Sequence, residues 1–118
     1  MATETDELVV GFSNTMTARC RVLRGVKTSD LQQELKESEQ HRSLCIRGSG
    51  ISYADMILND RNSILDLSHL DGVLEWDPDT GIILVESGVK IGSILRLAHQ
   101  HGWHLHCCPG SPDITIGG

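Results

Sequence analysis

A glycine-rich segment in the middle of the chain carries the residues best suited to hold an anion. Residues 47–53, RGSGISY, follow a short apolar run, a position from which a loop can aim backbone N–H groups at a phosphate. Gly48 and Gly50 lack a Cβ, so they can adopt positive φ and let a diphosphate approach the main chain. The Ser49 and Ser52 hydroxyls can add hydrogen bonds, and the leading arginine can neutralise phosphate charge or anchor the loop. A tight turn without a ligand would have the same pattern.

A second glycine-rich segment, PGSPDITIGG, forms residues 109–118. Two prolines and a glycine at its start exclude regular secondary structure there. Each segment alone is a weak signal, because short glycine patterns are common in ordinary loops. The two segments in this order, with several elements between them, are more specific, and they predict two loops that converge on one ligand.

A Rossmann dinucleotide site is an alternative for the first segment. Gly48 and Gly50 have the required mutual spacing, and Asp66 or Asp71 lies near the place of a ribose-binding acid. Tyr53 occupies the position of the third glycine, and no strong amphipathic helix begins there. The pattern therefore disfavours a Rossmann site.

Zinc-type ligands are clustered near the C-terminus: His99, His101, His104, His106, Cys107 and Cys108. In a strand predicted over 103–107, His104 and His106 would share one face. However, the cluster has no Cys-x-x-Cys pair, and adjacent cysteines in a strand point to opposite faces. We therefore expect no metal site, and a helix end is in any case a favourable place for histidine. A non-enzymatic fragment or a metal-binding module remains the alternative from another functional class.

Composition limits the class of protein. The chain has 118 residues, a formal charge of -6, 39% hydrophobic and 22% charged residues, which is typical of a globular domain and not of a disordered chain. Basic residues are scattered, so a nucleic-acid partner is not expected. The acidic start lacks the features of a secretory signal, and the longest aliphatic run, Ile82 to Val85, is too short to span a membrane. We expect a cytoplasmic protein with reduced cysteines and no transmembrane segment.

Strand, helix, strand, loop and strand are predicted for the first part of the chain. The strands are 20–26, 44–46 and 63–67, and the helix runs from Ser29 to about residues 38–41. Ser29 and Gln32 fit a capping box, and Leu31 and Leu35 are one turn apart. This alternation favours at least partly parallel strand pairing. Cys20 and Cys45, in the strands, are expected to be small buried residues.

A hairpin and a helix are predicted for the second part. Apolar runs at 73–76 and 82–86 flank a turn-forming DPDTG. A helix is predicted over 91–101, with Gly102 as its left-handed cap, followed by a strand over 103–107. Trp76 and Trp103 are expected to be packing residues, because each has aliphatic neighbours in a predicted strand.

These motifs together resemble those of a known family. The chain has RGSGISYAD at 47–55, ILDL at 64–67, ESGV at 86–89 and PGSPDITIGG at 109–118. This combination is similar to the FAD-binding (PCMH-type) domain of the vanillyl-alcohol oxidase and p-cresol methylhydroxylase family, and within it to the decaprenylphosphoryl-ribose oxidase-like members. The resemblance runs from about Gly11 to the last residue. It implies an α+β fold of two small α/β lobes with FAD between them.

The resemblance also assigns residues and domains. The cofactor-binding residues would be Arg47, Gly48, Ser49, Gly50, Ile51, Ser52, Tyr53 and Asp55 in the first loop, and Pro109, Gly110, Ser111, Thr115, Ile116, Gly117 and Gly118 in the second. Residues 1–70 would form the first lobe with an N-terminal extension, and residues 71–118 an incomplete second lobe, with the substrate domain absent. Family members that attach flavin covalently through the first loop have histidine where this chain has Ile51, so non-covalent FAD is expected.

The activity implied by the resemblance is that of an FAD-dependent oxidoreductase that oxidises a CH–OH group of a sugar-like or polyol substrate. A sugar-lactone or alditol oxidase of the same family is the alternative. The fragment itself is expected to be inactive, and no catalytic residue is identified.

Overall fold

The computed structural model describes residues 2–38 and 43–118. Its elements, in chain order, are β1 Thr3–Val10, β2 Thr17–Arg24, α1 Thr28–Ser38, β3 Leu44–Arg47, β4 Ser63–Asp66, β5 Val73–Asp77, β6 Ile82–Val85 and α2 Ile91–His99. The α+β class is as expected. The end predicted for the first helix, near 38–41, lies mostly outside the described residues. No helix in the described ranges is long and apolar enough to cross a bilayer.

The first sheet has four strands in the order β1-β2-β4-β3. β4 pairs in parallel with both β2 and β3, so the predicted parallel pairing is confirmed. β1 is antiparallel to β2 over eight residues, and this strand was not predicted from the sequence pattern. Its residues, TETDELVV, are mostly exposed, because β1 is an edge strand and only one of its side chains, Val9, is buried in the core.

Both faces of this sheet are covered. One face carries a cluster of buried residues that includes Cys20, Val22 and Ile64, and Cys45 packs against it. The other cluster contains Leu23, Leu65, Leu67 and Leu70, and Leu31 of α1 packs against it. All four residues of β4 are buried, as expected for a central strand with both faces covered. Cys20 is fully buried and Cys45 is half-buried, and burial raises the pKa of the Cys45 thiol.

The start of α1 differs from the prediction in one detail. The sequence suggested Ser29 and Gln32 as a capping box, but the carboxylate at this end belongs to Asp30. Its Oδ2 accepts hydrogen bonds from the backbone N–H groups of Val26 and Lys27, at 3.0 and 3.1 Å. Asp30, in the first turn, thus holds the backbone of the two residues that precede the helix.

The hairpin and second helix agree with the prediction. β5 and β6 are antiparallel, and Gly81 has φ +74° at the end of the turn between them. After α2, Gly102 has φ +76°, and the Trp103 N–H bonds back to the Ala98 carbonyl at 3.0 Å. Gly102 is therefore the left-handed cap expected there.

The strand predicted over 103–107 is wrong. These residues form no strand, because the Trp103 side chain packs on the hairpin. Its indole N–H donates to the Pro78 carbonyl at 2.7 Å, and its ring lies 2.7 Å from the position that a Cβ at Gly81 would take. Trp76 is half-buried and makes an edge contact with His101. Both tryptophans are therefore packing residues, as expected.

Candidate functional site

Three charged residues form a row where the parallel strands end. Arg24, Asp66 and Arg47 are the last residues of β2, β4 and β3, and Asp66 is in register with both arginines. Since parallel strands place their carboxyl ends at one edge of the sheet, all three side chains are at the edge where open α/β sheets usually bind ligands.

Asp66 is the shared partner in this row. Its Oδ2 lies 3.6 Å from Arg24 Nε and 3.8 Å from Arg47 Nη1, and its Oδ1 accepts a hydrogen bond from the Ser68 N–H at 2.9 Å. The Asp66 residue is only 5% exposed. A buried carboxylate needs such partners, because an isolated buried charge is costly.

Arg24 has a second acidic partner on β1. Its Nη1 and Nη2 donate to the two carboxylate oxygens of Glu7, at 2.6 and 3.0 Å. Hydrogen bonds from Arg24 and from the Thr5 hydroxyl lower the pKa of Glu7 from 4.5 to about 2. The hydrogen bond to Glu7 correspondingly raises the pKa of Arg24. The edge strand is thus connected by charge to the carboxyl ends of the parallel strands.

The Arg47 side chain packs against the first loop at Gly50. Gly50 has φ +72°, and a Cβ there would lie 2.8 Å from Arg47 Nε and 2.9 Å from Nη2. Arg47 Nε is buried and has no hydrogen-bond partner among the described residues. Of the two roles considered for this arginine, the contacts with Gly50 and Asp66 are those of a loop anchor. Glycine is favoured at position 50, because a side chain would be strained at this positive φ and its Cβ would displace the Arg47 guanidinium.

The second loop is held by backbone hydrogen bonds. The first N–H groups of α2, at Ile91 and Gly92, donate to the carbonyls of Ile114 and Pro112, both at 2.8 Å. In the loop itself, the N–H groups of Ile116 and Gly117 donate to carbonyls of residues 89 and 87, at 2.9 and 2.8 Å. The α2 N-terminus therefore holds the loop, and these amides are not free for an anion.

The two loops are in direct contact. A Cβ at Gly48 would overlap Thr115 Oγ1 and come within 3.0 Å of Gly118 Cα. The Ser49 hydroxyl donates to the carbonyl of Asp113. The convergence expected from the two glycine-rich segments is therefore present in the fold.

Two adjoining cavities open at this junction, and they share Gly48, Ser49 and Thr115 as lining residues. The first has a volume of about 460 Å³ and includes Arg24, Arg47, Asp66, Asp71 and Lys90 in its lining. The second has a volume of about 630 Å³ and is lined by apolar residues, Phe12, Ile51, Tyr53, Met56 and Ile114 among them. The first is charged and the second is mainly apolar, and both are within the usual size of ligand sites.

Most of the residues predicted for the site line one or both cavities: Arg47, Gly48, Ser49, Gly50, Ile51, Ser52, Tyr53, Gly110, Ser111, Thr115 and Gly118. Four predicted residues do not line either cavity: Asp55, Pro109, Ile116 and Gly117. Gly117 has a structural role, because a Cβ there would lie 2.5 Å from Ser87 Cβ.

Several lining residues were missed by sequence reasoning, notably Phe12, Arg24, Met56 and Lys90. Arg24 had a usable signal, because it lies in the strand predicted over 20–26, which pairs in parallel with the strand that contains Asp66. Phe12 had none, since its position depends on an edge strand that the sequence pattern does not show.

The C-terminal histidines form a small surface cluster. His99 Nε2 and His104 Nδ1 are 2.8 Å apart, and Cys108 Sγ lies 3.8 Å from His104 Nε2. Across residues 2–38 and 43–118, no group of three or more His, Cys, Asp or Glu side chains could hold a metal ion.

The junction has the features that a dinucleotide with an apolar ring requires. A diphosphate needs main chain that it can approach closely, and glycine main chain from both loops, at Gly48 and Gly118, lines the apolar cavity, with Gly48 also lining the charged one. Arginine and lysine side chains lie in the charged cavity beside them. The apolar cavity can take a planar ring, which needs burial rather than charge. The donor set therefore fits FAD.

Known proteins share both the sequence pattern and the fold. A model of the FAD binding domain family matches residues 20–118. Decaprenylphosphoryl-beta-D-ribose oxidase from Mycolicibacterium smegmatis is 30% identical over 80 residues, which are 68% of this chain and 17% of that protein. The chain thus spans less than a fifth of this relative's length.

Solved structures have a similar fold. A cholesterol oxidase from Brevibacterium sterolicum superposes with a TM-score of 0.80 at 16% identity, covering 99% of this chain and 24% of that one. A xylooligosaccharide oxidase from Myceliophthora thermophila C1 gives a TM-score of 0.75 at 20% identity, with coverages of 92% and 24%. The matched family model shows that the chain belongs to the FAD binding domain family, with FAD as the cofactor, and the solved structures show that it has the fold of PCMH-type flavoprotein oxidases.

Proposed function

We propose that both loops hold one FAD molecule, with its diphosphate at the junction of Gly48, Ser49, Thr115 and Gly118. The observation that supports this proposal is the contact between the loops, where Gly48 packs so closely on Thr115 that a Cβ at Gly48 would overlap the threonine hydroxyl. Residues of the charged cavity, Arg47 above all, would stabilise the loop that faces the phosphates. The remaining residues assigned from the resemblance, Asp55, Pro109, Ile116 and Gly117, would support the two loops from outside the cavities.

The flavin ring is proposed to occupy the apolar cavity. Ile51 and Tyr53 lie in its lining, and Tyr53 is 81% exposed, so a ring bound there would cover an apolar surface that is otherwise open to water. Burial of such a surface stabilises binding by about 25 cal/mol per Å². On this proposal, residues 1–70 and 71–118 contribute one lobe each to the clasp around FAD.

FAD supplies the redox chemistry by accepting a hydride when bound, while this chain's residues bind and orient it. We propose that a protein carrying this chain oxidises a CH–OH group of a sugar-like or polyol substrate. The names of relatives support this class: a decaprenylphosphoryl-ribose oxidase, a xylooligosaccharide oxidase and a carbohydrate oxidase. A sugar-lactone or alditol oxidase is the second candidate. A cytoplasmic location is part of this proposal, and no catalytic base is assigned.

FAD is proposed to bind without a covalent bond at residue 51. Isoleucine has no nucleophilic nitrogen, and Ile51 lines the cavity proposed for the flavin. Acid precipitation of the FAD-loaded chain should therefore leave all the yellow colour in the supernatant. A yellow pellet would contradict this proposal.

The binding proposal can be tested by titrating the chain with FAD and measuring flavin and tryptophan fluorescence during the titration. The expected result is saturable binding at one site per chain. An absence of saturable binding would contradict the proposal. For the activity, dye reduction by a protein that carries this chain together with a substrate domain should respond to sugars or polyols, and a response to neither would contradict the proposed substrate class.

A further inference from the structure

In the edge strand β1, the acidic residue Glu7 contacts the charged row formed by Arg24, Asp66 and Arg47. Of its eight residues, only Val9 is buried and only Glu7 is half-buried. The matched family region begins at residue 20, so β1 precedes it. Glu7 nevertheless makes the shortest contacts of the charged row, with both of its carboxylate oxygens on Arg24.

We infer that Glu7 is a positioning residue for the first cofactor loop: it holds Arg24 so that Asp66 remains the partner of Arg47 beneath Gly50. The inference rests on the proposed function, because it concerns the loop that we propose to bind FAD. It adds a residue outside the site, on a different strand.

Two arginines compete for one carboxylate oxygen of Asp66. Arg24 Nε and Arg47 Nη1 approach the same Asp66 Oδ2, at 3.6 and 3.8 Å. Neither distance is that of a close ion pair, so a small movement of either guanidinium decides which arginine Asp66 contacts. Asp66 Oδ1 is already used by the Ser68 N–H, so it offers no second oxygen of equal freedom.

Glu7 decides this competition by holding the far end of the Arg24 guanidinium. Arg24 Nη1 also donates to the Thr5 hydroxyl at 2.9 Å, on the same face of β1. Without the charge at Glu7, Asp66 becomes the acidic group in contact with Arg24. The guanidinium then moves toward Asp66 and draws the carboxylate away from Arg47, because opposite charges in a partly buried site attract strongly.

A displaced Arg47 would change the packing of the turn at Gly50. Arg47 Nε and Nη2 lie under the turn that Gly50 makes, and the position of Arg47 depends on Asp66. A released Arg47 no longer packs under the turn at Gly50. The first loop should then become more mobile, while the second loop, held by backbone hydrogen bonds, should not change.

The test compares E7Q with E4Q. Glu4 lies on the same strand and loses the same charge, but it contacts Arg21 at 2.6 Å and has no contact with Arg24, Asp66 or Arg47 in the row. Amide hydrogen exchange in the chain without FAD is the first measurement. The Leu67 N–H, which donates to the Arg47 carbonyl at 2.9 Å, reports on the first loop, and the N–H groups of residues 116 and 117 report on the second. We expect faster exchange at Leu67 in E7Q and unchanged exchange at 116 and 117, with E4Q like the wild type.

FAD titration is the second measurement. E7Q should bind FAD about 3- to 30-fold more weakly, the range for substitutions along a coupled network, and E7D, which keeps the charge, should recover part of the loss. In an R47M background, E7Q should cause no further loss, because its effect passes through Arg47. If E7Q weakened FAD binding only by destabilising the whole chain, the loss would be the same in the wild-type and R47M backgrounds, and both loops would exchange faster.

The outcomes separate the inference from the proposed function. Equal exchange of the first loop in E7Q and E4Q overturns the inference, whether or not FAD binds. Equal or tighter FAD binding by E7Q, or an undiminished loss in the R47M background, also overturns it. A wild-type chain that does not bind FAD contradicts the proposed function, while the exchange data still decide the role of Glu7.

Discussion

The two loops meet at one junction, but they are held there by different forces. The first loop rests on side-chain charges, with Arg47 under Gly50 and Asp66 shared with Arg24. The second is held by main-chain hydrogen bonds, from the α2 N-terminus and to the carbonyls of residues 87 and 89. Side-chain charges respond to pH and to single substitutions, whereas backbone hydrogen bonds do not depend on side-chain identity.

This difference predicts which substitutions each loop tolerates. The first loop should be sensitive to charge at positions distant from it in the sequence. The second should tolerate loss of charge but should not tolerate a new Cβ where its main chain is packed, as at Gly117. The junction itself should be sensitive to any added atom.

Substitution G48A should have the largest effect, because its Cβ would overlap Thr115 Oγ1 and push the two loops apart. Overpacking costs typically 1–3 kcal/mol, which corresponds to about 5- to 150-fold weaker FAD binding if the cost is felt in the bound state. Fluorescence titration with FAD would measure it.

The matched variant for stability is G110A, since a Cβ at Gly110 meets nothing within 4 Å. Thermal unfolding of G110A should match that of the wild type, whereas G48A should unfold at a lower temperature. If G48A bound FAD as the wild type does, the loops would not share the diphosphate.

Charge removal should affect the two loops unequally. Substitution D66N removes a buried partner of two arginines and should weaken FAD binding by about tenfold, through the first loop. D113N removes the exposed ion pair with Lys90 at 3.2 Å, and exposed pairs contribute about 0.2–1 kcal/mol. Its effect on stability should therefore be small.

Amide exchange would show where each change acts. D66N should raise exchange in the first loop alone, and D113N should change the exchange of Ile116 and Gly117 little. Similar exchange profiles for both variants would remove the distinction between the loops.

Acid should reveal the smallest effect. The folded-state pKa of Glu7 is about 2, below its ordinary 4.5, so its pair with Arg24 stabilises the fold above about pH 4.5. That contribution should disappear as the pH falls from 4.5 toward 2. A partly exposed pair contributes at most about 1 kcal/mol. The difference in free energy of unfolding between the wild type and E7Q, from urea titrations, should shrink across this range, and a constant difference would contradict the assignment.

Much of the fold follows from local sequence signals. The hairpin was predictable because DPDTG restricts the backbone, and α2 because its apolar spacing and Gly102 agree on one helix. Parallel pairing followed from the alternation of elements. The strand β1 was not predictable, because an edge strand exposed on most positions lacks the apolar alternation of a half-buried one.

The sequence identified the two loops that line the cavities, but not the residues that support these loops. Glycine patterns and the family resemblance pointed to residues 47–55 and 109–118. Glu7 and Phe12 depend on the packing of β1, a contact that no local pattern specifies. The error at 103–107 has a similar cause, since Trp103 packs on the hairpin, and a tertiary contact decided the backbone path.

Binding of one FAD molecule by both loops can be tested by NMR of the 118-residue chain. Titration with FAD should shift the amide signals of Ser49 and Thr115 together, with one dissociation constant. Shifts in only one loop, or two different dissociation constants, would contradict the claim.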